Sequence, residues 1–127
     1  MAKLFSYILL SISLFLALNV YGQAEFEIVP ISTVETSYNT VTCSVHQIGS
    51  QNYLYAAGDG NKIDLFKIEN DGSMQFLTNN VVSGGKNTVR GLITEKIGGN
   101  DFLFAGLKGG NAVEVYRINP DGTLKSV

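Results

Sequence analysis

Ile63-Asp64-Leu65-Phe66-Lys67-Ile68 returns fifty residues later as Val113-Glu114-Val115-Tyr116-Arg117-Ile118, class for class at each position. Both stretches alternate apolar and charged residues, with the same slip at Phe66 and Tyr116. A period of two places alternate side chains on opposite faces of an extended chain, so both read as strands. The echo continues outward. Tyr53-Leu54-Tyr55-Ala56-Ala57-Gly58 matches Phe102-Leu103-Phe104-Ala105-Gly106-Leu107, and Asp71-Gly72-Ser73-Met74 matches Asp121-Gly122-Thr123-Leu124. Upstream, Asn39-Thr40-Val41 matches Asn87-Thr88-Val89, and Ile48-Gly49 matches Ile97-Gly98. The offsets are 48, 49 and 50, so two single-residue insertions account for the drift. Both fall in Gly/Asn-rich stretches, where turns tolerate them.

Each unit reads as four strands: 40–48, 52–58, 62–69 and 73–79, then 88–97, 101–107, 111–118 and 122–127. Asp59-Gly60-Asn61 and Gly109-Gly110-Asn111 are hairpin signals, because Gly and Asn tolerate positive φ. Asn70-Asp71-Gly72 and Pro120-Asp121-Gly122 serve the next hairpin, with Gly122 as the left-handed residue. No stretch after residue 23 has helical periodicity. A weaker third copy precedes these units. Phe26, Ile28 and Val29 align with Met74, Phe76 and Leu77, which predicts a leading outer strand over 25–33. The fold class is therefore all-β. Four antiparallel strands in a period of about 40–50 residues is the signature of a β-propeller blade. The expected blades are 38–85 and 86–127, within a partial propeller over 23–127.

No Trp-Asp pair of the WD40 type is present, since the chain has no Trp, and no paired glycine with spaced aromatics stands in kelch register. Asp101 to Gly106 and Asn111 to Leu124 together resemble a blade of the lactonase-like propeller family, related to the YVTN-type repeat propellers. That resemblance implies a lactone hydrolase, opening a cyclic ester with water in a central channel. The family draws its catalytic acid, base and Arg from several blades, and no residue here is matched to one of them. A non-enzymatic exported binding or scaffold propeller is the competing expectation, because fold does not fix function. Closed propellers use about four to eight blades, and two do not close a ring. The chain is thus expected to be the N-terminal portion of a longer propeller, or a short chain that builds a ring from about three copies. An ordinary β-sandwich needs no such echo.

Residues 1–22 read as a secretory signal peptide. Lys3 precedes an uncharged run from Leu4 to Val20, and Val20-Tyr21-Gly22 offers a cleavage site before Gln23. Export to the periplasm or outside the cell follows, with no stable membrane span after cleavage. The formal charge of −2 becomes −3 once Lys3 is lost, so no basic footprint for nucleic acid exists. One Cys excludes an internal disulfide and a multi-cysteine zinc site, and one His excludes HExxH chemistry. No cofactor and no metal are expected.

Candidate channel-lining residues are Thr42, His46 and Arg90. His46 is the only imidazole, on the first strand of its blade, with Thr94 as its repeat counterpart at offset 48. At the same offset Arg90 stands where Thr42 stood, and either holds a carboxylate or phosphate or makes a solvated or blade-to-blade salt bridge. Cys43 reads as a small buried residue opposite Gly91. Asp59, Asp64, Asp71 and Asp121 lack the spacing of a calcium loop, and Asp-Gly reads as turn chemistry. Gly84-Gly85-Lys86 lacks the full phosphate-loop spacing and reads as an inter-blade loop. Tyr53/Tyr55 and Phe102/Phe104 read as packing between blades. The expected partners are a small-molecule or carbohydrate-like ligand and, for a complete chain, further copies of itself.

Overall fold

The computed structural model describes residues 29–82 and 88–127. The expected signal segment 1–22, the first residues of the expected leading strand (25–28) and Gly84-Gly85-Lys86 lie outside the described residues. Eight strands follow in order: β1 (Thr40–Ile48), β2 (Gln51–Gly58), β3 (Lys62–Ile68), β4 (Met74–Val81), β5 (Thr88–Ile97), β6 (Asn100–Lys108), β7 (Ala112–Ile118) and β8 (Leu124–Ser126). They form two four-stranded antiparallel sheets, ordered β1-β2-β3-β4 and β5-β6-β7-β8. Each sheet is a meander of the kind found in propeller blades. Among the described residues no helix is long and apolar enough to cross a membrane.

Strand periodicity decides which residues meet between the sheets. Cross-strand rows share a face. In the first sheet Tyr55 sits opposite both Ser44 and Leu65, and Ala57 opposite Thr42 and Ile63. These rows face the second sheet. Tyr53, Tyr55, Ala57, Ile63 and Leu65 join Val89, Leu92, Leu103, Ala105, Tyr116 and Leu124 in one buried cluster. Burying a side chain of this kind contributes about 1.5–3 kcal/mol, so the seam between the sheets is the core. Val82 belongs to it, and its N–H donates to the Asn61 carbonyl at 2.8 Å as the chain passes from one sheet to the next.

The apolar pair Leu65-Phe66 needs no break in the strand, because β3 pairs regularly with β2 and successive side chains point to opposite faces. The β3–β4 register shifts here, with Leu77 of β4 as the extra residue. Leu65 joins the seam, while Phe66 is buried on the other face with the Phe76 ring edge-on at 5.5 Å.

Residues 29–39 cross that second face. Residues 29–33 carry no strand, so in its described part the expected leading strand is irregular chain instead. Ile31 lies against Gly72. Ser37 meets the buried Asp64, donating from its N–H at 2.6 Å and from its hydroxyl at 2.7 Å. Asn39 accepts from the Asp59 N–H at 3.1 Å. The first β2–β3 turn departs from expectation, since Gly60 and Asn61 do not take positive φ. Gly60 serves close approach instead, because a Cβ there would run into the Tyr38 ring. In the second sheet Gly109 and Asn111 do adopt positive φ, as do Gly72 and Gly122 in the later turns.

Candidate functional site

β1 alternates between two environments. Thr42, Ser44 and His46 point to the second sheet, while Val41, Cys43 and Val45 are exposed. The three polar side chains are engaged across the seam. Thr42 Oγ1 accepts the Leu92 N–H at 3.1 Å. The Ser44 and Thr94 hydroxyls share a hydrogen bond of 3.1 Å, and Thr94 donates to the Val45 carbonyl at 3.2 Å. His46 Nε2–H donates to Asp101 Oδ1 at 2.9 Å, with side chains 12% and 17% exposed. Lys96 Nζ lies 3.7 Å from the same oxygen. A charge-assisted contact this screened from water is stronger than one at the surface. The only imidazole thus holds a carboxylate from the neighbouring sheet.

Arg90 sits at an irregularity of β5, where the ladder skips from Val89 to Gly91. Its Nη2 lies 3.1 Å from Asp59 Oδ1 of the first sheet, with both side chains over two-fifths exposed. Of the two sequence readings for Arg90, the ion pair between units is formed. At this exposure such a pair contributes about 0–1 kcal/mol. Thr42 and His46 therefore share one face of one strand, while Arg90 lies at the mouth of the seam.

The ladders also correct the repeat alignment. Tyr53, opposite His46, matches Phe102, which lies opposite Glu95. Thr42 and Gly91 likewise share a position opposite Ala57 and Gly106. The offset through β1 and β5 is thus 49. The counterpart of His46 is Glu95 and not Thr94, and the counterpart of Arg90 is Val41 and not Thr42. Cys43 corresponds to Leu92, opposite Ala56 and Ala105, and is exposed, not buried. Both strands carry the same bulge, at Val41 and Arg90, and the offset of 49 already holds at Thr40 and Val89, so the linear match at offset 48 is one residue out of register.

Asp101 and Tyr55 were not legible as site residues. The Tyr55 hydroxyl donates to the Gly122 carbonyl at 2.7 Å, in the middle of the seam. Burial pushes its phenol well above the usual tyrosine range, helped by the neighbouring Tyr53, Asp101 and Asp121. Burial and the hydrogen bond to Glu114 do the same for Tyr116. One signal for Asp101 exists in the sequence: its repeat counterpart is the uncharged Asn52, so the charge is an addition to one unit alone.

The second sheet's far face is open. Its rows are Gly91–Gly106–Val113, Ile93–Phe104–Val115 and Glu95–Phe102–Arg117–Lys125. They repeat the rows that the first sheet buries in the seam. Here Ile93 is 65% and Val113 64% exposed. The facing glycines carve a groove of about 510 Å³, with Arg90 and Lys108 among its lining residues. A Cβ at Gly91 would meet nothing within 4 Å, and the first sheet has Thr42 and Ala57 at these positions. Chemically this is an apolar floor with cations at its rim, suited to docking rather than proton transfer. Among the described residues no group of three or more His, Cys, Asp and Glu side chains is arranged to hold a metal ion. No family model, curated protein or solved structure matches the chain.

Proposed function

We propose that the chain is an exported pair of lactonase-like propeller blades that acts as a non-enzymatic scaffold, working by docking its open sheet face. One observation carries this reading: the rows that are buried between the two sheets recur on the far side of the second sheet with Ile93 and Val113 mostly exposed. In repeat architectures each unit buries its face against a neighbour, and contiguous apolar surface on a soluble protein marks an interaction site. The commitment of His46 to Asp101 supports the same reading, because it employs the one imidazole as structural glue. Export rests on the Lys3 to Gly22 pattern.

Lactone hydrolysis is the second reading, favoured by the blade-like stretch from Asp101 to Leu124. Turnover of a panel of simple lactones by the exported chain, followed by proton release, separates the two. The scaffold reading expects release no faster than the buffer blank. Saturable turnover by the folded chain overturns it in favour of a hydrolase.

A further inference from the structure

We infer that the occupant of the open face is a second copy of this chain, docked head to tail: the far face of the second sheet of one copy lies on the far face of the first sheet of the next. The inference rests on the scaffold reading and names its partner. The chain already makes this contact once, between its own two sheets. Advancing that contact by one repeat pairs the far face of the second sheet with the part of the first sheet's far face, along β1, that residues 29–39 leave uncovered. Position by position, Ser44 becomes Ile93, and its partner Thr94 becomes Val45. These two are 65% and 55% exposed in the single chain. A hydroxyl pair inside the chain is thus replaced by an apolar pair between chains. His46 becomes Glu95 and Asp101 becomes Asn52, so the ionic contact becomes a carboxylate facing an amide able to donate to it. Both substitutions are complementary, and both differ from the internal contact, which favours copy-to-copy docking over a slip of the internal pairing.

The receiving face is prepared for this. Residues 29–39 anchor over β3 and its flanking turns through Ile31, Ser37 and Asn39, and leave Cys43 and Val45 on β1 exposed. The contact is heterologous, using different patches on the two copies, so it propagates until rotation closes a ring. With two described sheets per copy and about four to eight sheets in a closed ring, about two to four copies are needed.

The test uses the full chain, recovered after export and held under reductant, with mass measured by light scattering during size exclusion. A discrete particle of about two to four copies is expected. Ile93→Asp and Val45→Asp each place a charge at a position exposed in the single chain, and circular dichroism checks that both variants keep their strands. Each is expected to lower the mass about two- to fourfold, to the monomer. Mixing the two variants is expected to give a two-copy species and nothing larger, because one intact face of each remains. Cys43 supplies a second readout, since its thiol reacts slowly in the assembled chain and quickly in either variant. A wild-type chain that stays monomeric at every concentration overturns the inference, as does an Ile93→Asp monomer beside a fully assembled Val45→Asp, which would mean face-to-face pairing. An assembled chain that turns over lactones sinks the non-enzymatic reading and leaves the docking intact. A monomer without turnover does the reverse.

Discussion

A single phenol closes the seam at its centre. Tyr55 is fully buried, and its hydroxyl satisfies the Gly122 carbonyl across 67 residues of chain. Tyr55→Phe keeps the ring and leaves that carbonyl without its donor, which costs about 1–2 kcal/mol. A lowered urea midpoint with unchanged slope would report it. The pH dependence follows from the raised phenol. The folded state favours the protonated form, so its contribution is complete below the unfolded value near 10 and is lost as pH rises above it. The wild-type urea midpoint is expected to fall above about pH 10, and to fall less steeply in Tyr55→Phe. None of this was visible in the order of residues. An alternating strand says which side chains share a face, but Tyr55 finds Gly122, and His46 finds Asp101, only once two sheets are stacked. The same limit misplaced Cys43. The linear comparison set it against Gly91 where the ladders set it against Leu92, and one residue exchanges the faces of a strand.

The elements themselves were legible, because alternation and turn chemistry agree. The predicted strands coincide with the observed ones at β1 and β5, and differ mainly at β4 and β8, where turn residues give way to pairing later than expected. The last hairpin of each unit explains the precision. Asp71 Oδ1 accepts from the Ser73 N–H and hydroxyl, and Asp121 Oδ1 does the same for Thr123. Both carboxyls are held below the usual aspartate range by these hydrogen bonds. A depressed folded value stabilises above the unfolded pKa near 3.9 and is lost as pH falls through the folded one. Replacing either Asp with Asn is therefore expected to flatten the loss of thermal stability between neutral and acid pH, read from melting curves at successive pH values. Gly122 makes the sharper prediction. It has φ of 83°, and an added Cβ would come within 2.6 Å of the Tyr53 ring. Gly49, at φ of 60°, has nothing within 4 Å. Gly122→Ala should cost both the left-handed backbone and overpacking, about 2–4 kcal/mol, while Gly49→Ala should cost about 1–2 kcal/mol. Equal denaturant midpoints for the two variants would show that the seam yields to the methyl group.

At the scale of the whole molecule, repetition made the stacking readable, since two copies of one amphipathic sheet must bury matching rows. The segment that precedes them was not readable in the same way. A strand is predicted over 25–33, but residues 29–39 run as irregular chain that crosses the first sheet's second face and supplies the donors for its buried carboxylate. Asp64 is 3% exposed and sits opposite Ala56 in mid-sheet. A carboxylate in that position is tolerable only when hydrogen-bonded, and Ser37 provides both an N–H and a hydroxyl. The segment is thus tied to the sheet by the same group whose burial it makes tolerable. Ser37→Ala keeps the backbone donor and loses the hydroxyl, which is expected to cost about 1.5–3 kcal/mol, the range for hydrogen bonds to charged groups. Asp64→Ala removes the acceptor, and Ser37→Ala should then cost almost nothing more. A double-mutant cycle in urea measures the difference. A coupling of about 1 kcal/mol or more, with faster proteolysis within 29–39 in either single variant, identifies the pair as the anchor. Strict additivity would mean that Tyr38 and Ile31 hold the segment by packing alone, and that the Asp64 carboxylate draws its support from elsewhere in the sheet.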